Sequence, residues 1–445
     1  MTAPALPRIE ARRSPWPLWL DFAAPWLVVT LLASTSTGLG SAVGTWWLFL
    51  GWRFAAVPAS RPLTAFVGAF TLYGTSAWLA ASRFDLVYPP GPTEATIEAG
   101  TRLTLFALVA TFVMLRVLPL DLSMTWLRCA SLELLDRASR LGGSRLALIA
   151  LGLATIALRD WWQLRAIGLG AVFEADRRAY AGALLTASNH NVQIAVMAGT
   201  IALGTAAVAR PERRRRAFVL AALVAMTWGP SLLVGARKSP LIVLVALALL
   251  ALAAGRGRIA PRGALLAAAG LAVGLLLIPL ASTGRLDQAS IEFVYPQYVL
   301  FAAMEHDIDL DYGYGRGATL MLPAALRPFE VHDIGSSFAD LGVTNVGVGA
   351  HPVGEAYLAS PGAAGVLAVA ATVLVVLAVR LLARLDPAFA VAGAAHLVLW
   401  GRSDLWITLF FSMYVGALLW LLLARPRRAS VLERPAPEAG TSALS

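Results

Sequence analysis

The chain has 445 residues, 58% of them hydrophobic and only 14% charged, with a formal net charge of +10. That balance excludes an ordinary soluble domain, where about a quarter of residues are charged. The single cysteine, Cys129, excludes an intramolecular disulfide and a cysteine metal cluster. The basic runs, RPERRRR at 210–216 and GRGRIAPR at 255–262, are loop-sized and carry no interleaved aromatics, which argues against nucleic acid as a partner.

A membrane span takes about 20 apolar residues to cross a hydrocarbon core of about 30 Å. It must be helical, because lipid offers no partner to backbone N–H and C=O groups. Residues 1–17 form an arginine-bearing head that reads as a retained anchor rather than a cleaved signal. Twelve apolar segments follow: 18–37, 41–58, 63–81, 97–118, 146–164, 191–209, 217–235, 239–254, 263–282, 361–383, 388–401 and 405–424. The tail, 425–445, ends in a stretch rich in Pro, Ala, Glu and Ser that reads as disordered. The sequence therefore predicts an all-α polytopic membrane protein of about 12 transmembrane helices. Helices 1–9 fall within 18–282 and helices 10–12 within 361–424, with a large loop over 283–360 between them.

Charge sets the orientation. With the N-terminus in the cytoplasm, 22 of the 36 Lys and Arg fall in cytoplasmic segments, the densest of them in short loops where the positive-inside bias is strongest. Both termini are then cytoplasmic, and the 283–360 loop is extracytoplasmic. Within this frame, 121–141 places Trp126, Leu127, Ala130, Leu134, Ala138 and Leu141 at helical spacing, the pattern of an interfacial helix on the cytoplasmic side. Residues 165–190 form a second extracytoplasmic loop. No internal repeat is visible, and mid-span positions are nearly all apolar, which weakens a transporter built from duplicated halves.

The polar chemistry gathers at one membrane face. GARKSP, at 235–240, sits between two spans and contains Lys238, the only lysine of the chain, beside Arg237. Ser239 and Pro240 suit the start of the following helix. The two cations read either as snorkelling side chains or as an anion site. Arg285 returns to the same face one hairpin later, with Asp287 as an alternative partner. The stretch Arg285–Glu355 carries ten of the chain's 26 acidic residues and three of its five histidines. In it, Tyr312, Tyr314, Arg316 and Arg327 are candidates for stacking on or binding sugars, and 318–326 has the pattern of a short amphipathic helix. The spacing of His306, Asp307, Asp309 and Asp311 is a poor metal set, so no metal or cofactor is expected. Arg102 and His396 lie within spans, where ionisable groups are costly; Arg102 reads equally as a functional residue or as a snorkelling one, and His396 as satisfied by a neighbouring helix.

The order helix, GARKSP, helix, cytoplasmic turn, helix, Arg285, long loop and terminal His/Gly motif resembles the superfamily of O-antigen polymerases and O-antigen ligases. Ligases of that group carry His, then Asn, Ser or Gln, nine residues, Gly, two residues, and Gly, Thr or Tyr. Here His351 and Pro352 are followed by nine residues, Gly362, two residues and Gly365; Pro352 departs from the pattern. The stretches YGRGATLMLPAALRP and HPVGEAYLASPGAAG are similar to oligosaccharide repeat-unit polymerases, which tend toward Gly-Glu-x-Tyr before the final helices. The resemblance covers roughly 215–385, and Pro352 with Gly354-Glu355 favours polymerase over ligase.

The resemblance implies a metal-independent glycosyltransferase of the bacterial inner membrane acting on undecaprenyl-pyrophosphate-linked glycans. A ligase transferring finished glycan to another acceptor is the alternative, with a lipid-linked glycan transporter behind it. It implies His351 as the base for an acceptor hydroxyl and Glu355 as its orienting partner or replacement. Arg237, Lys238 and Arg285 would hold pyrophosphate. Membrane lipid, a flippase and a chain-length regulator are the implied partners.

Overall fold

The computed structural model describes residues 19–33, 38–83, 92–118, 120, 124–168, 190–209, 214–233, 238–254, 286–306, 314–322, 326, 351–402 and 405–424. Regular structure among them is helical throughout. In chain order the helices are α1 (Leu20–Ala33), α2 (Gly38–Ala56), α3 (Arg61–Arg83), α4 (Glu94–Val117), α5 (Met124–Ser139), α6 (Gly143–Ile167), α7 (His190–Ala209), α8 (Arg214–Leu233), α9 (Lys238–Ala254), α10 (Leu286–His306), α11 (Pro352–Ala359), α12 (Ala364–Leu385), α13 (Pro387–Leu397) and α14 (Leu405–Leu423). Eleven of the twelve predicted segments coincide with helices; the other, 263–282, lies outside the described residues. Among the described residues, four stretches are long and apolar enough to cross a membrane: Glu94–Val117, Asn191–Ala209, Pro361–Leu385 and Leu405–Leu423. The α5–α6 pair makes a fifth if counted as one broken span.

Capping explains several boundaries. Asp386 accepts a hydrogen bond from the Ala388 amide at 2.9 Å and is followed by Pro387, so α12 ends and α13 begins within two residues. Thr93 caps α4 through the Thr96 amide. Gly168, at φ 96°, stops α6 in a conformation that side-chain-bearing residues rarely adopt. Several buried hydroxyls inside the helices are satisfied locally: Thr64, Thr71 and Thr75 of α3 donate to carbonyls four residues back. Thr71 and Thr372 also accept from the indoles of Trp46 and Trp400, each at 3.0 Å.

Two ends of the bundle are chemically distinct. At one end Asp21 of α1 meets Arg53 of α2 and Arg116 of α4, each Nε at 2.9 Å, and Arg53 also donates to Thr64 of α3 at 2.7 Å. The C-terminal ends of α2 and α4 thus meet the N-terminal ends of α1 and α3, as four antiparallel helices require. Arg137 of α5 pairs with Asp386 at 2.6 Å, and Arg145 at the start of α6 donates to the carbonyl of Ala424 after α14. Helix α5 makes a 103° bend with α6. Its predicted apolar face, including Leu127, Leu134, Ala138 and Leu141, is buried, and α5 packs against α7, α9 and α13 rather than resting on lipid alone. Helix α12 runs beside α4 from Gly365, whose neighbour there is Leu103.

At the other end, Glu305 of α10 accepts from the Thr93 amide and from the hydroxyls of Thr93 and Thr96, and Arg102 donates to the Leu32 carbonyl that ends α1. The large polar segment begins as this 21-residue helix, packed on α3 and α4, rather than as surface loop. The reason is the run Tyr298–Ala303, which is buried throughout. Of the helix expected over 318–326, Ala318–Met321 forms a 3-10 turn preceded by a helical turn over Tyr314–Gly317, and 323–325 lie outside the described residues. Leu48, Leu148, Leu151, Leu158, Trp162 and Val366 face outward with more than half their surface exposed, the apolar exterior that lipid solvates.

Candidate functional site

Helix α11 is eight residues long and starts because His351 caps it: the imidazole Nδ1 accepts from the Val353 amide at 3.3 Å, and Pro352 occupies the first helical position. The His351 amide donates to the Pro296 carbonyl of α10 at 2.9 Å. Its ring stacks on Phe70 of α3, with centroids 4.7 Å apart and planes 23° from parallel. Gly74, one turn along α3, makes this approach feasible. A Cβ there would lie 3.0 Å from His351 Nε2 and 2.7 Å from Thr104 Cγ2.

His351 is fully buried, and Nε2 has no hydrogen-bond partner. Burial pushes the imidazole down to about 3, against a smaller upward effect of the Phe70 carbonyl. Such burial disfavours the imidazolium that a base would form, the role the resemblance implies for His351. The cause is desolvation by α3 and α10, which local sequence does not reveal.

Glu355 lies one turn after His351 and is also fully buried. Its Oε2 accepts from the Leu405 amide at 3.0 Å, so the carboxylate sits at the N-terminus of α14, where the helix dipole favours an anion. The next residue, Trp406, donates from its indole to the Tyr314 carbonyl at 2.7 Å. Tyr314, a predicted sugar-binding residue, is thereby brought to the Glu355 end of α14.

Lys238 is the first residue of α9, and its Nζ lies 5.8 Å from the centre of the Phe411 ring. Phe411 is six residues into α14, about 9 Å along the axis from Leu405. Lys238 and Glu355 thus both engage the first two turns of α14. Ser239, expected as the cap of this helix, falls inside its first turn, and its hydroxyl instead receives a hydrogen bond from Gln193 of α7. His396 donates or accepts through Nδ1 within its own helix, to the Ala392 carbonyl at 2.7 Å, and stacks on Phe411.

Arg237, Arg285, Tyr312 and Arg327 lie outside the described residues, as do Asp307, Asp309 and Asp311. Arg316 is placed by its backbone alone, in the turn Tyr314–Gly317. Among the described residues, no three His, Cys, Asp or Glu side chains gather as metal ligands would.

Phe70, Gly74 and Gln297 are the site neighbours that sequence reasoning missed. Gln297 is buried and donates to the Thr101 hydroxyl at 3.4 Å, while its Oε1 has no partner. An amide in the otherwise apolar run FVYPQYVLFAAM is the signal that would have found it.

These helices, with their polar ends and apolar exterior, define an all-α membrane protein. No protein-family model matches the chain, and neither a curated protein nor a solved structure matches it.

Proposed function

We propose that this protein polymerises undecaprenyl-pyrophosphate-linked oligosaccharide repeat units into a surface polysaccharide at the extracytoplasmic face of a bacterial inner membrane. In this reading the chain has twelve spans and cytoplasmic termini. The single observation that carries it is the burial of two titratable groups one turn apart on one short helix, His351 against Phe70 and Gly74 near the middle of α3 and Glu355 at the N-terminus of α14. In this reading the arginine distribution puts the Asp21–Arg53–Arg116 end of the bundle on the cytoplasmic side. The resemblance of the 351–365 motif to O-antigen polymerases supplies the substrate class.

The reaction balances without a cofactor. A hydroxyl of one lipid-linked repeat attacks the anomeric carbon of the glycan on a second carrier. The new C–O bond forms as the bond to pyrophosphate breaks, and the hydroxyl proton passes to a protein base. Undecaprenyl pyrophosphate leaves with the bonding electron pair, and its charge is met by Lys238 with Arg237 and Arg285. Tyr312, Tyr314, Arg316 and Arg327 line the glycan. A flippase would deliver the repeats and a chain-length regulator would act on the product.

The test is the lipid-linked glycan profile of a deletion strain. Accumulation of single repeat units supports the polymerase. Long unligated polymer would make the protein a ligase, and a normal profile would remove both.

A further inference from the structure

We propose that His351 acts as a hydrogen-bond donor to a sugar hydroxyl through Nε2–H, and that Glu355, not His351, takes the acceptor's proton. This rests on the polymerase reading for its substrate.

The protonation of a neutral imidazole is set by what its other nitrogen does. Here Nδ1 receives the Val353 amide, so its lone pair is engaged and the ring proton resides on Nε2. The alternative tautomer would set two N–H groups against each other at the start of α11. For His351 to act as a base at Nε2, it would first have to take that tautomer and give up its cap.

The surroundings of Nε2 match a donor. The ring faces Phe70, Gly74 and the Thr104 methyl, with the Phe70 carbonyl beside it as an acceptor that makes no hydrogen bond to Nε2, and none of these groups is charged. Along the same face of α4, one turn from Thr104, Thr101 holds the amide of Gln297. The Thr101 and Thr104 hydroxyls donate to their own helix, at 2.7 and 2.8 Å. This strip therefore presents an N–H donor from His351 and a carbonyl acceptor from Gln297, both buried and both without partners. Buried polar atoms of this kind are uncommon unless something completes them. A hydroxyl-bearing sugar both accepts and donates, whereas an ion would meet no counter-charge there.

Glu355 is the remaining proton acceptor on α11. Its carboxylate is held at the N-terminus of α14 by the Leu405 amide. When the acceptor hydroxyl attacks, its proton moves to this carboxylate as the new glycosidic bond forms and pyrophosphate departs, so charge and atoms balance.

Two measurements decide the matter. The first is ¹⁵N NMR of histidine-labelled full-length protein in lipid bilayers, with the His351 signal identified by its loss in His351→Gln; the chain has five histidines. Protonated Nε2 with unprotonated Nδ1 is expected, and the opposite tautomer overturns the proposal. The second is polymer formation in membranes supplied with lipid-linked repeats. His351→Gln keeps an N–H donor near the Nε2 position and should stay within about tenfold of wild type, the worth of one neutral hydrogen bond. Loss of a general base would instead cost about 10²–10⁴. A loss of that size in a His351→Gln protein that folds, with Glu355→Gln retaining activity, overturns the proposal. If wild-type membranes make no polymer at all, the polymerase reading fails, while the NMR result still decides the role of the imidazole.

Discussion

Arg53 and Asp21 meet through two hydrogen bonds, Nε to Oδ1 at 2.9 Å and Nη2 to Oδ2 at 3.3 Å, where neither side chain reaches solvent. The Arg53 guanidinium also lies 5.1 Å from the centre of the Phe112 ring. Removing one partner leaves the other charge buried, which costs about 3–5 kcal/mol, whereas removing both is far milder. Asp21→Ala should therefore lower the melting temperature of detergent-solubilised protein markedly. Asp21→Leu with Arg53→Met should recover much of the loss. An unchanged melting temperature for Asp21→Ala would show that the pair contributes nothing.

Gly74 and Gly68 lie on the same helix and predict opposite outcomes. At Gly74 a Cβ meets Thr104 and His351, so Gly74→Ala should cost about 1–3 kcal/mol through overpacking and should lower polymer formation with it. At Gly68 nothing lies within 4 Å of the added Cβ, and Gly68→Ala should be neutral or stabilising by up to about 1 kcal/mol. Equal effects at the two positions would remove the proposed contact between α3 and His351.

Glu305 predicts a pH dependence. The Thr96 hydroxyl and the amide and hydroxyl of Thr93 hold its carboxylate below the ordinary value of 4.5. Because the folded value lies below the unfolded one, its contribution to stability is complete above about 4.5 and is lost as pH falls through the lower folded value. Wild type should therefore melt above Glu305→Gln at neutral pH, and the two curves should converge in acid. A gap that widens on acidification would contradict the capping of α4.

The proposed pyrophosphate site predicts that Arg237→Ala, Arg285→Ala and Lys238→Ala each abolish most polymer formation with protein levels in the membrane near wild type. Arg→Lys at 237 or 285 should restore only part, since an ammonium lacks the bidentate geometry of guanidinium. Arg256→Ala and Arg258→Ala, in the basic run at 255–262, should be tolerated. Similar losses at every position would indicate impaired insertion instead of a phosphate contact.

Reporter fusions test the orientation that the site requires. Fusions after Gln288, Asp311 and Asp340 should report an extracytoplasmic environment, and fusions after Arg214, Arg258 and Arg428 the cytoplasm. A cytoplasmic signal at Asp311 would place the polar segment on the wrong side for flipped, lipid-linked substrates.

What the sequence determined by itself was the class of protein and the position of its helices. The twelve apolar segments include eleven that are helices, because helix formation in lipid is forced locally by backbone hydrogen bonding. His351 as a boundary residue was also legible, since Pro352 restricts what can precede it and suits a helix start. Glu355, whose role only the resemblance implied, lies four residues on and so one helical turn later.

Tertiary structure decided everything that depends on residues far apart in the chain. Nothing near His351 in sequence announces Phe70, Gly74 or Gln297, yet these helices desolvate the ring and leave Nε2 facing an uncharged strip. The three-way meeting of Asp21, Arg53 and Arg116 was equally invisible, because the three residues lie far apart in the sequence. Helix α10 was hidden for the opposite reason: its charged residues suggested a surface loop, while the buried run Tyr298–Ala303 earns its place only against α3 and α4. Local hydrogen bonding and hydropathy are written along the chain, but burial and charge pairing exist only between helices, so they were fixed by packing.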